Sequence, residues 1–169
     1  MRILLQRTTS ASVQVEGECI ASIGQGVLAL VGVDQGDNPE IADAMAAKIV
    51  NLRIFPDLLE KSHFDRSLLD IGGDVLAVSQ FTLCGETRKG RRPDFSGAAA
   101  PTDAQRIMNS FLQSLCKYQI HVQTGRFGAM MAVSLVNDGP VSIWIDSRTA
   151  LPANANAKAR KPFEKMEKP

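Results

Sequence analysis

The chain has 169 residues with a formal net charge of +1, 44% hydrophobic and 22% charged residues, which is the composition of an ordinary globular protein. No apolar stretch approaches the ~20 residues of a membrane-spanning helix, and the apolar stretch at the N-terminus is too short to be the apolar core of a signal peptide. With two histidines and three cysteines lacking CxxC spacing, we expect no disulfide framework, no metal, no cofactor and a reducing, cytoplasmic location.

The charge is distributed unevenly along the chain. Residues 148–169 hold six Lys or Arg against two Glu, so this segment is basic and the remaining body is acidic. Its Ala, Asn, Lys and Pro content predicts a mobile tail. An acidic body is not typical of a general nucleic-acid binder, so any polyanion site must be local.

The N-terminal third predicts strands followed by a helix. A two-residue alternation over 3–6 and again over 13–16 predicts strands, Gly17 predicts a turn, and a further strand follows over 19–23. The continuous apolar run 26–33 is typical of a strand buried on both faces. Asn38 is a candidate N-cap, with Pro39 at the first helical position. The apolar face of this helix comprises Ile41, Met45, Ile49 and Leu52.

The second half of the chain predicts more strands and a second helix. Residues 75–83 begin as a buried strand. Thr102 and Gln105 have the spacing of a capping box, which predicts a helix starting there. Two strands, 132–136 and 141–145, follow. Mostly local strand connections with two helices indicate an α+β domain rather than a doubly wound parallel sheet.

Polar side chains interrupt the strand predicted over 75–83. Ser79, Gln80 and Thr82 bring hydrogen-bonding groups that cost about 1–3 kcal/mol each if they are buried unpaired. Strand alternation would place Gln80 and Thr82 on one face, with Ser79 and Phe81 on the other. These groups either satisfy neighbouring backbone or bind a polar ligand. A threonine nucleophile would need a base, and neither histidine has a sequence context that suggests this role.

Two further features accompany this strand. A run of positive charges is either a solvated loop or a phosphate-binding segment, and it consists of Arg88, Lys89, Arg91 and Arg92. Gly139-Pro140 separates two apolar runs. Because proline cannot donate to a sheet ladder, the residues alone predict a tight trans turn between two strands.

The segments 79–83 (Ser-Gln-Phe-Thr-Leu) and 137–141 (Asn-Asp-Gly-Pro-Val) resemble the two signature motifs of the D-aminoacyl-tRNA deacylases, also called D-tyrosyl-tRNA deacylases. Further similarity lies in residues 5–7, 11–13, 88–93 and 124–131. The resemblance extends from Met1 to about Ser147, so we expect a deacylase domain over 1–147 and a basic tail over 148–169. Ser142 departs from the family, which more often has Thr there.

The resemblance implies an α+β fold in which mainly antiparallel sheets form a barrel-like core with two main helices. It also implies a cytoplasmic homodimer that hydrolyses the ester between a D-amino acid and the 3′ end of tRNA, with mischarged glycyl-tRNA as a second substrate. A cis Gly139-Pro140 unit would reach across the dimer into the partner's active site and reject L-aminoacyl-tRNA.

Two mechanisms are open. Backbone N–H groups near Phe81 and Thr82 could form an oxyanion hole while the substrate's ribose 2′-hydroxyl helps to activate water, or Thr82 could act as a nucleophile. The remaining expected site residues are Ser79 and Gln80 for catalysis, Arg7 and Asn137 for support, and Phe127 and Met131 for packing on the terminal adenine. The rival hypotheses are a non-catalytic RNA-end or phosphate-binding module and a purely structural dimer.

Overall fold

The computed structural model describes residues 1–59, 61–88 and 90–152. Its strands are β1 (Arg2–Val15), β2 (Glu18–Ile23), β3 (Gly26–Gly32), β4 (Asp74–Ser79), β5 (Val122–Thr124) and β6 (Ala132–Asp146). Its helices are α1 (Pro39–Asn51), α2 (Leu68–Ile71), α3 (Pro101–Cys116) and α4 (Ser147–Ala150). A single 3₁₀ turn spans Phe81–Cys84. The architecture is α+β, as expected.

The described strands form one nearly closed, barrel-like sheet in the order β2-β1-β3-β4-β5, with β6 paired to the other edge of β1. β1 is antiparallel to β2, β3 and β6, whereas β3–β4 and β4–β5 are parallel pairs. The sheet is therefore mixed, which corrects the expectation of mainly antiparallel sheets. The parallel pairs arise because connections containing α1 and α3 carry the chain back across the sheet, and such crossovers require a dozen residues or more.

Two apolar clusters lie on opposite faces of the sheet. The larger cluster packs β1, β3 and β4 against α1 and α3 through residues such as Leu5, Ala29, Met45 and Phe111. The smaller one joins Val13 of β1 to residues of β2, β3 and β4 on the other face. β3 and β4 contribute to both clusters, so they are buried on both faces, as the apolar run 26–33 predicted.

The two long helices, α1 and α3, both begin with a proline at the first helical position. Asn38 caps α1 by accepting a hydrogen bond from the Ile41 N–H at 3.0 Å, and Pro39 occupies the first helical position, as predicted. α3 begins at Pro101 with Ala100 at the cap position and no side-chain cap bond, so the predicted capping box is wrong. Pro101 has a backbone angle already suited to a first turn, and this places Thr102 inside the helix.

β6 is one strand rather than the two predicted over 132–136 and 141–145. Gln6 of β1 pairs with Ser142, and Thr8 pairs with Asn137, so the four residues between Asn137 and Ser142 lie opposite Arg7 alone. This is a β-bulge, which inserts extra residues into one strand and leaves them outside the ladder. The bulge lets a proline sit within the strand without breaking its pairing on either side.

The described part of the predicted tail begins with the short helix α4. The rest of that prediction, over 153–169, lies outside the described residues. In residues 1–59, 61–88 and 90–152, no helix is both long and apolar enough to cross a membrane.

We expect Asn38→Ala to lower the free energy of unfolding by about 1 kcal/mol, because it removes the cap of α1. Thr102→Ala is the matched control: Thr102 is exposed inside α3, so its removal should change stability by less than about 0.5 kcal/mol. Urea unfolding of both variants measures the difference. Equal costs would contradict the start of α3 at Pro101.

Candidate active site

β4 ends at Ser79, and the chain then leaves the sheet. The Gln80 N–H donates to the Val31 carbonyl at 2.8 Å, which is the last tie to β3 before the 3₁₀ turn begins. Phe81 and Thr82 are both exposed, so the alternation of faces predicted for them is wrong. A 3₁₀ turn does not follow the two-residue period of a strand. Polar residues therefore replace apolar ones here because the strand has ended.

β3 passes directly against the 3₁₀ turn. A Cβ on Gly32 would lie 3.0 Å from the Leu83 Cβ and 3.1 Å from the Gln80 carbonyl oxygen, so the missing side chain permits this close approach. Cys84, at the end of the turn, is buried. Burial, assisted by the Asp34 carboxylate, raises the pKa of the Cys84 thiol to about 12.

The Thr82 hydroxyl has a defined partner. The Gln80 side-chain amide donates a hydrogen bond to Thr82 Oγ1. An amide N–H cannot accept a proton, so this contact orients the hydroxyl without activating it as a nucleophile. His121 contacts Asp74 at the opposite end of β4, with 3.4 Å between Nδ1 and Oδ1. Within the described part of the chain, no group of three or more His, Cys, Asp or Glu residues could hold a metal ion.

The 3₁₀ turn is one exposed unit of irregular backbone, and Gly139-Pro140, at the bulge of β6, forms a second. Its peptide bond is cis, so the trans turn predicted from the residues alone is wrong and the cis bond implied by the resemblance is confirmed. Gly139 has φ of 112°, a conformation that L side chains rarely adopt. A Cβ there would also lie 2.9 Å from Arg7 Nη2. Glycine is therefore needed both for the backbone angle and for the close contact with Arg7.

Arg7 and Asn137 hold this unit from the sheet side. Arg7 is buried, its Nε lies 2.8 Å from Asp138 Oδ2, and its Nη1 donates to the Ile54 carbonyl at 2.6 Å. The Asn137 Oδ1 accepts from the Val141 N–H at 3.2 Å, which closes the bulge. These contacts place the expected supporting residues next to Gly139-Pro140.

A cavity of about 210 Å³ opens beside Ser79, between α3 and the ends of β4 and β5. Phe127 lines it, whereas Met131 does not; the Met131 sulfur lies close to the lining residue Gly125, where a Cβ would meet it at 2.6 Å. One wall consists of Gln105, Met108, Asn109 and Leu112 of α3. These four residues, two polar and two apolar, recur at i, i+3, i+4 and i+7, so they lie on one face of α3. This helical spacing beside the buried face is the sequence signal that would have identified them.

An aromatic contact brings the basic segment beside the 3₁₀ turn. The rings of Phe81 and Phe95 meet edge to face, with centroids 5.1 Å apart. Glu86 and Asp94 pair as an isolated antiparallel bridge that closes the base of the loop between them. The loop is thus fixed at its base, next to the residues that end β4.

The expected phosphate ligands lie on this loop. Arg88 forms an exposed ion pair, with its Nε 3.0 Å from Glu86 Oε2, and hydrogen bonds from the backbone N–H groups of Arg88 and its neighbour help to hold the pKa of Glu86 below its usual value. Arg91 and Arg92 are exposed. The prediction for Lys89 falls outside the described residues.

The two exposed units are far apart along the sheet of one chain. Gly139-Pro140 lies opposite Arg7 of β1. Arg7 pairs with Val27 of β3, and Val27 pairs with Val75 of β4, which is four positions before Ser79. With ~4.8 Å between strands and ~3.3 Å per residue, the separation is about 14 Å across the sheet and about 13 Å along it. One sheet therefore does not bring Gly139-Pro140 to the turn that follows Ser79.

The sequence matches the family model of the D-Tyr-tRNA(Tyr) deacylases over residues 4–146. The chain belongs to this family. Among curated relatives, the D-aminoacyl-tRNA deacylase of Thermomicrobium roseum is 54% identical over 147 residues, covering 87% of this chain and 94% of the relative. That of Bacillus pumilus is 53% identical over 148 residues, covering 88% and 99%. The resemblance seen in the two motifs is confirmed.

Solved structures share the deacylase fold. A c-Myc DNA unwinding element binding protein superposes with a TM-score of 0.81 at 41% identity, covering 86% of this chain and 98% of that one. A probable eukaryotic D-amino acid tRNA deacylase gives a TM-score of 0.73 at 17% identity, covering 85% and 97%. The second similarity concerns the fold alone.

The packing of the 3₁₀ turn in this family member predicts unequal thiol reactivity. At pH 8 a thiol reagent should modify the exposed Cys19 and Cys116 and leave Cys84 unmodified, because a pKa of about 12 keeps the buried Cys84 as the unreactive thiol. Mass spectrometry of digested protein locates the label. In denaturant all three cysteines should react. Native labelling of Cys84 as fast as Cys19 would contradict its burial against β3.

Proposed function

We propose that the chain hydrolyses the ester bond of D-aminoacyl-tRNA, releases the free D-amino acid and tRNA, and rejects L-aminoacyl-tRNA. Its family and relatives named D-aminoacyl-tRNA deacylase support this reaction. The observation that carries the mechanism is the end of β4 at Ser79, where a buried strand gives way to an exposed turn beside a cavity. Glycine has no side chain that a chiral wall could reject, so mischarged glycyl-tRNA is a second proposed substrate.

Catalysis is led by the backbone. An aminoacyl ester is already reactive, so the enzyme must chiefly position water and stabilise the oxyanion. The first N–H groups of a helical turn lack carbonyl partners within the turn. Those of Phe81 and Thr82 are the proposed oxyanion donors, a role worth about 3–4 kcal/mol per donor. The substrate's own ribose 2′-hydroxyl helps to activate the attacking water.

Thr82 assists as a hydrogen-bond donor rather than as a nucleophile. Its oxygen already accepts from Gln80, and a hydroxyl in that position has its proton to offer to the ester. Ser79 lines the cavity at the point where the ester would lie. Gln80 thus orients the hydroxyl, and Ser79 completes the polar frame around the reacting carbonyl.

The cavity beside Ser79 receives the terminal adenosine. Phe127 offers a ring for the base to pack on, and Gln105 and Asn109 offer carboxamides that suit the polar edge of a nucleobase. Met131 packs beside Gly125, which lines the cavity. On the outer side, the loop carrying Arg88, Lys89, Arg91 and Arg92 contacts the phosphates of the tRNA 3′ end.

Chiral rejection requires a second copy of the chain. Because Gly139-Pro140 lies far from Ser79 along the sheet, the unit that meets the ester comes from a partner copy in the proposed homodimer. The outer face of β6 supports such an interface, since Val136 and Trp144 are exposed on it by 56% and 51%. The rigid Gly139-Pro140 wall then collides with an L side chain and leaves a D side chain free. A cytoplasmic location fits this tRNA substrate.

Deacylation assays on matched D- and L-aminoacyl-tRNA test the function. We expect the protein to accelerate decay of the D ester and the glycyl ester, and to leave the L ester at its spontaneous rate. Binding without any acceleration would favour the rival RNA-end module.

In Asp138→Asn, which weakens the hold of Arg7 on the bulge, the ratio of D to L rates should fall about tenfold. An unchanged ratio would contradict the role of the Arg7–Asp138 contact in holding Gly139-Pro140.

Thr82→Ala separates the two mechanisms. If the hydroxyl only donates a hydrogen bond, the single-turnover rate on D-aminoacyl-tRNA should fall about tenfold, which corresponds to one modest hydrogen bond. Thr82→Ser should retain most of the rate. A loss of about 10⁴-fold in Thr82→Ala, together with a trapped acyl-enzyme in the wild type, would instead establish a nucleophile.

A further inference from the structure

A side chain from β1 holds the far end of the 3₁₀ turn. Arg2 Nη1 donates to the Leu83 carbonyl oxygen at 2.9 Å. Its Nε faces Asp34, 3.3 Å from Oδ2, and the Arg2 side chain is only 18% exposed. Arg2 does not line the cavity, and the reaction as proposed above leaves its contact with Leu83 unused.

We propose that Arg2 is a positioning residue for ester hydrolysis, which fixes the 3₁₀ turn so that the N–H groups of Phe81 and Thr82 stay directed at the ester. The inference rests on the proposed function. The geometry of the oxyanion donors is then set by Arg2 of β1, through the Leu83 carbonyl at the opposite end of the turn.

The turn needs such an anchor because it is short. A single 3₁₀ turn has poor internal hydrogen-bond geometry and does not persist without tertiary contacts. β3 packs against one side of it at Gly32 and limits its approach to the sheet. Packing of this kind does not fix how the peptide planes rotate. The hydrogen bond from Arg2 fixes the Leu83–Cys84 peptide plane, because the donor specifies where the Leu83 oxygen lies. The Leu83 N–H in turn donates to the Gln80 carbonyl at 3.2 Å, and that carbonyl belongs to the same peptide as the Phe81 N–H.

Arginine suits this position for electrostatic reasons as well. The last carbonyls of a helical turn lack partners within it and carry partial negative charge, so a cation there is favourable. A guanidinium offers several donors in a fixed fork, and Arg2 uses one end of the fork for Leu83 and presents another to Asp34.

Asp34 orients the anchor. Its side chain is 12% exposed, and the Asp34 N–H donates to Asp37 Oδ2 at 2.7 Å, which ties the residue to the loop after β3. Asp146 Oδ2 lies 4.0 Å from the same Nε, so Asp34 is the nearer of two carboxylates that compensate the desolvation of this partly buried guanidinium. Asp34 therefore keeps Arg2 directed at Leu83, and its removal should weaken the anchor less than removal of Arg2 itself.

Steady-state deacylation of D-aminoacyl-tRNA provides the test. In Arg2→Ala we expect kcat to fall about tenfold to a hundredfold, the usual consequence of a small misplacement of catalytic groups, with KM changed less than about twofold. Arg2→Lys should recover part of kcat, because an ammonium can reach one partner but not both. Lys117→Ala is the control, since it removes an ion pair to Asp43 (2.7 Å) between α1 and α3 and should leave kcat unchanged.

Amide hydrogen exchange gives a readout that does not require turnover. The Gly85 N–H donates to the Thr82 carbonyl at 3.1 Å, so it reports closure of the 3₁₀ turn. Its exchange should be faster in Arg2→Ala and unchanged in Lys117→Ala. If Arg2→Ala does not fold, Arg2→Met keeps the apolar stem without the donor, and the same results are expected.

The outcomes separate the two proposals. A wild-type protein that hydrolyses no aminoacyl-tRNA overturns the proposed function and this inference with it. An active wild type whose Arg2→Ala variant keeps its kcat, or loses affinity through KM alone, overturns the inference and leaves the function standing. A reduced kcat with unchanged KM, partial recovery in Arg2→Lys and faster exchange at Gly85 support it.

Discussion

Pairing of β1 along both of its edges is the constraint on which the rest of the structure depends. One edge pairs with β3 and then β2, and the other pairs with β6 over most of its length. Such a strand cannot shift without breaking two ladders. Arg2 and Arg7 are separated by an odd number of positions, so they project from opposite faces. Arg2 meets the 3₁₀ turn and Arg7 meets the bulge of β6, which gives both exposed units a common rigid base.

The two units share a design that fits the proposed chemistry. Each is an irregular stretch of backbone at a point where a strand ends or bulges, and each receives an arginine that bridges it to another element. Reactive side chains are not required for an activated ester, but accurate placement of peptide groups is. Irregular backbone has no ladder to fix it, so side chains from a paired strand replace the missing regular hydrogen bonds. The reacting atoms would then be surrounded by groups that need no proton transfer of their own.

Local signals predicted local features, and features set by tertiary packing escaped them. Asn38 and Pro39 identified the start of α1 because capping depends only on neighbouring residues. The same reasoning misplaced the start of α3, where Pro101 competes with a capping box that looks equally good. The parallel pairing of β3 with β4 was missed although both strands are continuous apolar runs buried on both faces, a pattern that is typical of parallel sheets. Arg2 escaped notice because a polar residue that alternates with apolar ones is expected on any strand.

The pairing of β1 with β6 also bears on how the chain is synthesised. β1 leaves the ribosome before β6, which follows more than a hundred residues later in the chain, so one edge of β1 has no partner while the intervening residues are made. An exposed edge of alternating apolar residues is a template for pairing with other chains. Contacts of such long sequence separation also form slowly. Nascent chains of this protein are therefore most prone to aggregation just before β6 emerges, and a translational pause placed before residue 132 would prolong that interval.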